Sequence, residues 1–213
     1  MKLLINKYLK SKERKSGFFL VISIIIYIIL TFIAMRLYPG GYSFTEHTYS
    51  YLGQIKVNGV DNTISRILFI IASTLTAIAL IPFWFVMPVI FSQIKIAKMI
   101  SICGTILGII GAPFLSFIAI IPLDWGYEVH MIPTDLFFIF TTAAISIYSI
   151  AIFLNKDYNN LWGIVFIAFT IASFLYIFRI FDDIRPIMQK IIIYGFILWV
   201  LFQFSKIWKV TSS

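Results

Sequence analysis

Residues 16–35 read Ser-Gly-Phe-Phe-Leu-Val-Ile-Ser-Ile-Ile-Ile-Tyr-Ile-Ile-Leu-Thr-Phe-Ile-Ala-Met, twenty residues without a single charge. A hydrocarbon core about 30 Å thick is crossed by about 20 apolar residues as a helix, so this run spans a bilayer unaided. It is longer than the core of a typical signal peptide. Arg36 and Tyr38-Pro39-Gly40-Gly41 follow it with no small-x-small cleavage site, so it reads as a retained first span.

The same requirement is met five more times, by the uncharged runs Ile67–Ile94, Met99–Leu123, Leu136–Asn155, Tyr158–Phe178 and Ile191–Ser205. The last run is short, and Lys190 and Lys206 at its ends can snorkel to lengthen it. The runs are apolar on all sides, which predicts helices, because only a helix satisfies its own backbone within one span. A barrel would show short alternating segments instead. Composition agrees: 61% of the 213 residues are hydrophobic and 12% charged, against about 25% charged in soluble domains.

The predicted fold is therefore all-α, an integral membrane bundle of six transmembrane helices. Its spans fall at about 16–36, 66–92, 99–122, 135–154, 160–179 and 190–206. The membrane domain covers residues 16–207, between a basic segment, 1–15, and a tail, 208–213.

Charge sets the orientation. The net charge is +8, and six of the seventeen basic residues precede the first span: Lys2, Lys7, Lys10, Lys12, Arg14 and Lys15. With the N-terminus in the cytoplasm, Lys95, Lys98, Lys156, Lys206 and Lys209 join them, eleven in all. Arg36, Lys56, Arg66, Arg179, Arg185 and Lys190 make six outside. The positive-inside rule favours that arrangement, with both termini cytoplasmic. Acids segregate the other way: Glu13 and Asp157 inside, and Glu46, Asp61, Asp124, Glu128, Asp135, Asp182 and Asp183 outside. A basic segment beside a span sets topology or meets anionic headgroups. With no basic–aromatic patch elsewhere, nucleic acid is not an expected partner; membrane lipids are.

Two spans carry punctuation. Gly104, Gly108 and Gly111 recur at helical spacing before Pro113, which lets a second helix approach closely. Packing inside the bundle is the plainer use of these glycines, and a homo-oligomer face is the alternative. Pro82 and Pro88 predict a bent or broken second span towards its cytoplasmic end.

Several chemistries lack their residues. With His47 and His130 as the only histidines, no His-Glu-x-x-His pair or three-histidine cluster can form. The Gly-x-Ser-x-Gly elbow and the phosphate-cradling Gly-x4-Gly-Lys-Ser/Thr loop are missing, and no Ser stands next to a His in sequence. Cys103 alone cannot form an intramolecular disulfide. No charge lies deep in a span, which weighs against coupled transport. Neither a metal nor a cofactor is assigned.

What remains is polar and gathers outside. The first outer loop carries Tyr42-Ser43-Phe44-Thr45-Glu46-His47-Thr48-Tyr49-Ser50-Tyr51-Leu52-Gly53, and the second carries Asp124, Glu128 and His130, with Asp135 opening the fourth span. The candidate outer polar site is Glu46, His47, Ser50, Asp124, His130 and Asp135. Carboxylates with imidazole can bind a cation or exchange protons. The plainer alternative is an ordinary outer surface, with Asp135 complementing a helix N-terminus. Tyr49, Tyr51, Trp125 and Tyr127 suit an interfacial aromatic belt.

Tyr38-Pro39-Gly40-Gly41-Tyr42-Ser43-x-x-Glu46, the closing Ser50-x-Leu52-Gly53, Asn58-Gly59 before the second span, and Pro122-x-Asp124 followed by His130 form a distinctive order. Over about residues 15–205 it resembles the prokaryotic multi-span family catalogued as domain of unknown function 998. Tyr51 stands where that family reads Asp, and His47 where it reads Asn. More remotely the layout is similar to the DRAM/Sfk six-span proteins, linked to lipid handling and membrane trafficking. The resemblance implies the architecture and a prokaryotic plasma membrane, without an activity.

Three functional expectations follow: a non-enzymatic lipid-interacting or scaffolding protein with an outer polar cap; a membrane-embedded hydrolase or transferase acting on lipid through His130 with Asp124 and Glu46; and a small passive transporter. The topology is testable first. Reporters fused at Ser213 and within residues 57–62 should report opposite sides of the membrane, and the same side for both would contradict six spans.

Overall fold

The computed structural model describes the backbone of residues 2–156 and 158–212, with side chains from residue 11 onwards. The side chains of Lys2, Lys7 and Lys10, and Asp157 as a whole, lie outside the described residues. Six long helices run Lys2–Arg36 (α1), Thr63–Val86 (α2), Lys95–Ile120 (α3), Tyr127–Leu154 (α4), Asn160–Ile177 (α5) and Arg185–Ser212 (α6). Among the described residues, all six are long and apolar enough to cross a membrane. Helix α1 packs on α2 and α6, and each later helix packs on the next. The bundle thus closes as a ring in chain order.

Its surface is apolar like its interior, unlike that of a soluble protein, and a few small polar residues lie inside. Phe85 and Leu198 are each 66% exposed, as hydrocarbon permits, while Thr31, Ser101 and Ser149 are fully buried. Those hydroxyls donate to carbonyls a turn back: Thr31 to Tyr27 (2.7 Å), Ser101 to Lys98 (2.7 Å) and Ser149 to Ile145 (2.9 Å). Small hydroxyl residues can therefore sit between helices without leaving an unmet polar group.

The helices differ from their sequence-based limits at both ends of the bundle. Helix α1 has 35 residues, so it is about 52 Å long and carries the basic segment as its first turns. Helix α4 starts at Tyr127, not near 135, because Gly126 (φ 120°) turns the chain sharply enough to begin it there. Asp135 consequently sits beyond the first turn. Helix α6 begins at Arg185-Pro186, where proline in the first turn costs no intrahelical bond. Lys190 is thus one turn inside the helix.

Helix α2 ends at Val86 and continues as a 3-10 turn, Met87–Phe91. Pro88 has no N–H to offer the Trp84 carbonyl. The Met87 N–H and the Thr105 hydroxyl from α3, the latter at 3.1 Å, bond that carbonyl instead, and Thr105 accepts the Tyr148 hydroxyl at 2.6 Å. Trp84, Tyr148 and Trp199 pack around this point with ring centroids 5.4 to 5.9 Å apart. They fill the half of the bundle nearer the chain termini.

The glycines of α3 make room for neighbours within the chain. A Cβ at Gly104 would lie 2.9 Å from the Tyr148 ring, and one at Gly111 2.9 Å from Phe140 Cβ, both on α4. At Gly108 it would collide with the Trp84 indole of α2. The close approach at Gly108 is therefore to a side chain and not to a second backbone. Gly108→Ala should lower the thermal midpoint in detergent, by an overpacking cost of about 1–3 kcal/mol. Ile106→Leu, on the lipid-facing side and 53% exposed, should leave it unchanged. Equal midpoints would remove the packing assignment.

Candidate functional site

Residues 37–62 fold back over the end of the bundle opposite the termini and form a cap. Asn58 (φ 51°) and Gly59 (φ 83°) take the left-handed conformations of a tight hairpin turn. That turn joins two short strands, Lys56–Val57 (β1) and Val60–Asp61 (β2), paired antiparallel. Asn62 holds the preceding segment, its Nδ2 donating to the Leu52 carbonyl (3.2 Å) and the Gln54 carbonyl (2.9 Å). Tyr38 donates to Gln54 Oε1 at 2.9 Å. Burial pushes its phenol up to about 12, so it remains a neutral donor.

A 3-10 turn, Tyr49–Gly53, lowers its side chains into the bundle. Gln189 of α6 accepts the Tyr49 N–H at 2.8 Å, and the Tyr49 hydroxyl meets that of Tyr194 at 2.9 Å. Burial drives the Tyr49 phenol upward too. Tyr49 is thus a buried anchor and not a belt residue, unlike Trp125 and Tyr127, which are exposed.

Lys190 is also drawn in. It is 2% exposed, and its ammonium donates to the His47 and Pro186 carbonyls. The rings of Phe44, Tyr42 and Tyr49 surround it at 4.7, 5.5 and 5.6 Å, close enough for cation–π attraction. Lys190 does not snorkel outward, because the cap covers it.

The structure sorts the six candidate residues into three groups. Ser50 and His130 meet directly: Ser50 Oγ lies 2.8 Å from His130 Nε2. His130 is 1% exposed and Ser50 4%. On the other side of the ring, His130 Nδ1 faces the Ile121 carbonyl at 2.6 Å. A carbonyl only accepts, so Nδ1 carries a proton, and a neutral ring leaves Nε2 to accept the Ser50 hydroxyl hydrogen. That carbonyl is available because Ile121 precedes Pro122, which favours an extended backbone and ends α3.

Glu46 lies exposed at the edge of a polar pocket that Ser50 and His130 also line, together with Arg185, Asp182 and Gln189. The remaining three serve elsewhere. Asp124 accepts the Ile55 N–H at 2.7 Å and the Lys56 N–H at 3.4 Å, which fastens the hairpin to the α3–α4 connection. His47 stacks on Tyr51 with centroids 4.8 Å apart and accepts the Ser43 N–H at 3.1 Å. Asp135 stands 3.9 Å from Arg179. Asp124 and Glu46 are therefore not the partners of His130, whose ring contacts are Ser50 and a backbone carbonyl. Among the described residues no three His, Cys, Asp or Glu side chains group together as metal ligands do.

Beneath the cap an apolar cavity runs into the bundle, lined by residues such as Leu20, Leu80, Phe137, Thr142, Ile145 and Phe196. The cavity is narrow, about 60 Å³, well below the roughly 300–1,000 Å³ typical of ligand sites. Ser50, Thr134 and Gln189 line both this cavity and the polar pocket above it.

No family model, curated protein or solved structure matches the chain. The resemblance set out above stays an expectation carried by its motifs.

Sequence reasoning missed Gln189, Tyr194 and the buried role of Lys190. Their signal was a Gln-Lys pair in the first turns of an otherwise apolar helix, which reads equally well as a water-facing end. Asp124→Ala should release the hairpin: amide exchange at Ile55 should accelerate about tenfold or more, given about 1.5–3 kcal/mol for hydrogen bonds to a charged group. Glu46→Ala should leave that amide unchanged. Equal exchange in both variants would contradict the anchoring role.

Proposed function

We propose that this multi-pass membrane protein binds a membrane amphiphile, with the polar head in the cap pocket and the acyl chain entering the narrow bundle cavity as its lining side chains move apart. The observation that carries this reading is the shared wall of the two spaces. Ser50, Thr134 and Gln189 mark a boundary with apolar side chains on one side and Arg185, Asp182 and Glu46 on the other. Such a division matches a molecule with one apolar and one polar end. Binding would return cavity-facing groups to apolar contact and leave the headgroup among hydrogen-bonding partners.

The positive-inside count favours a cap on the outer face of the membrane, so the amphiphile would be drawn from the outer leaflet. The resemblance to six-span proteins linked to lipid handling favours the same reading. Passive transport draws no support from the interior, because Trp84, Tyr148 and Trp199 pack together beyond Leu80 and Ile145. That cluster closes the path towards the terminal end.

The test is extraction of the purified protein followed by mass spectrometry of the organic phase. The wild-type chain should retain an acyl amphiphile in near-stoichiometric amount. Thr142→Phe, which fills the cavity from a buried position, should lose most of it while keeping its thermal midpoint within a few degrees. Equal retention by a stable Thr142→Phe protein would count against the cavity as the binding place.

A further inference from the structure

We propose that Ser50 and His130 are a nucleophile–base pair that cleaves acyl esters held in this site. The proposal rests on the amphiphile-binding reading and adds the substrate class and the reaction. A serine nucleophile needs a base within about 2.6–3.2 Å and a third group that fixes the base. The Ser50–His130 distance is 2.8 Å, and the Ile121 carbonyl, 2.6 Å from Nδ1, fixes the tautomer. In a serine–histidine–carboxylate triad the acid holds the histidine proton on the far nitrogen. Here a backbone carbonyl does so, with no buried carboxylate required.

The place of the pair gives the substrate. Ser50 lies where the narrow apolar cavity meets the polar pocket, so an acyl chain that enters and widens the cavity would bring its ester carbonyl to the hydroxyl. The alcohol portion would then project towards Arg185 and Gln189. An acyl ester with a polar alcohol portion is the class that fits. A structural tie between cap and α4 could have been made by any polar pair. This one sits at the junction of a cavity and a pocket, with the histidine oriented from behind.

The reaction balances with water as co-reactant. Ser50 Oγ attacks the ester carbonyl carbon and forms a new C–O bond while its proton passes to His130 Nε2. The bond from the carbonyl carbon to the alcohol oxygen breaks, and that oxygen leaves with the Nε2 proton as the free alcohol. Water entering through the polar pocket then attacks the acyl-serine, giving a proton to Nε2 as it adds. The Oγ–acyl bond breaks, Oγ recovers that proton, and the carboxylic acid departs. Ile121 acts as a positioning residue throughout.

The experiment uses the full chain in lipid nanodiscs and a long-chain alkyl fluorophosphonate, with p-nitrophenyl octanoate hydrolysis as the second readout. The wild-type protein should take the label on the peptide containing Ser50 and hydrolyse the ester. Ser50→Cys should remove the label from that peptide. His130→Gln should slow labelling by about 100-fold or more, the scale of general-base catalysis, in protein shown to be folded by its circular dichroism. Wild-type protein that retains amphiphile yet takes no label on Ser50 would overturn the catalytic proposal and leave binding intact. Labelling at the wild-type rate in folded His130→Gln would overturn the role of the base. Wild-type protein that retains no amphiphile would contradict the binding reading, and this proposal with it.

Discussion

A loop of polar residues can rest on an apolar bundle only if its backbone and hydroxyl groups find partners there. Burying an unpaired amide or hydroxyl costs about 1–3 kcal/mol on mutational scales. Three side chains at the cap end of the bundle meet that demand. Gln189 accepts the Tyr49 N–H, Lys190 donates to the His47 carbonyl, and His130 bonds Ser50. Each is 4% exposed or less. Together they fix the 3-10 turn, and the turn sets where Tyr49, Ser50 and Leu52 enter the bundle. The cavity has a roof because these contacts hold it in place.

That roof gives the interior two unlike ends. Towards the termini, Trp84, Tyr148 and Trp199 close the bundle, with Thr105 supplying the donor that Pro88 lacks. Towards the cap the helices enclose an apolar space that ends at Ser50, Thr134 and Gln189. A solvent-filled channel would need polar lining along its length, and this interior has polarity at one end only. The Ser50–His130 hydrogen bond therefore has two consequences: it ties the cap to α4, and it presents an oriented hydroxyl to whatever fills the space below.

The spans were legible because hydrocarbon imposes one requirement on every side of a helix, so six uncharged runs are visible without knowing any contact. Their ends were less legible. Gly126 begins α4 about two and a half turns before the apolar run does, and Pro186 begins α6 before Lys190. The candidate site was legible in its residue types and not in its pairings. Ser50 and His130 were both visible as outer polar residues. They lie eighty positions apart, however, and no periodicity links a loop to the start of a later helix. Asp124 has the composition of a proton-exchanging acid, yet two hairpin N–H groups claim it. The Asn58-Gly59 dipeptide carried a readable hairpin signal, which explains why those N–H groups sit where they do.

Photolabelling from within a bilayer reports whether an acyl chain enters the cavity beneath the cap. A phospholipid carrying a diazirine on its acyl chain would be reconstituted with the protein in nanodiscs, irradiated, and mapped to single residues. Adducts are expected at inward-facing positions such as Phe137, Thr142 and Ile145, reduced by Thr142→Phe, in addition to the lipid-facing background. Adducts confined to outward-facing residues such as Phe85 and Leu198 would contradict it.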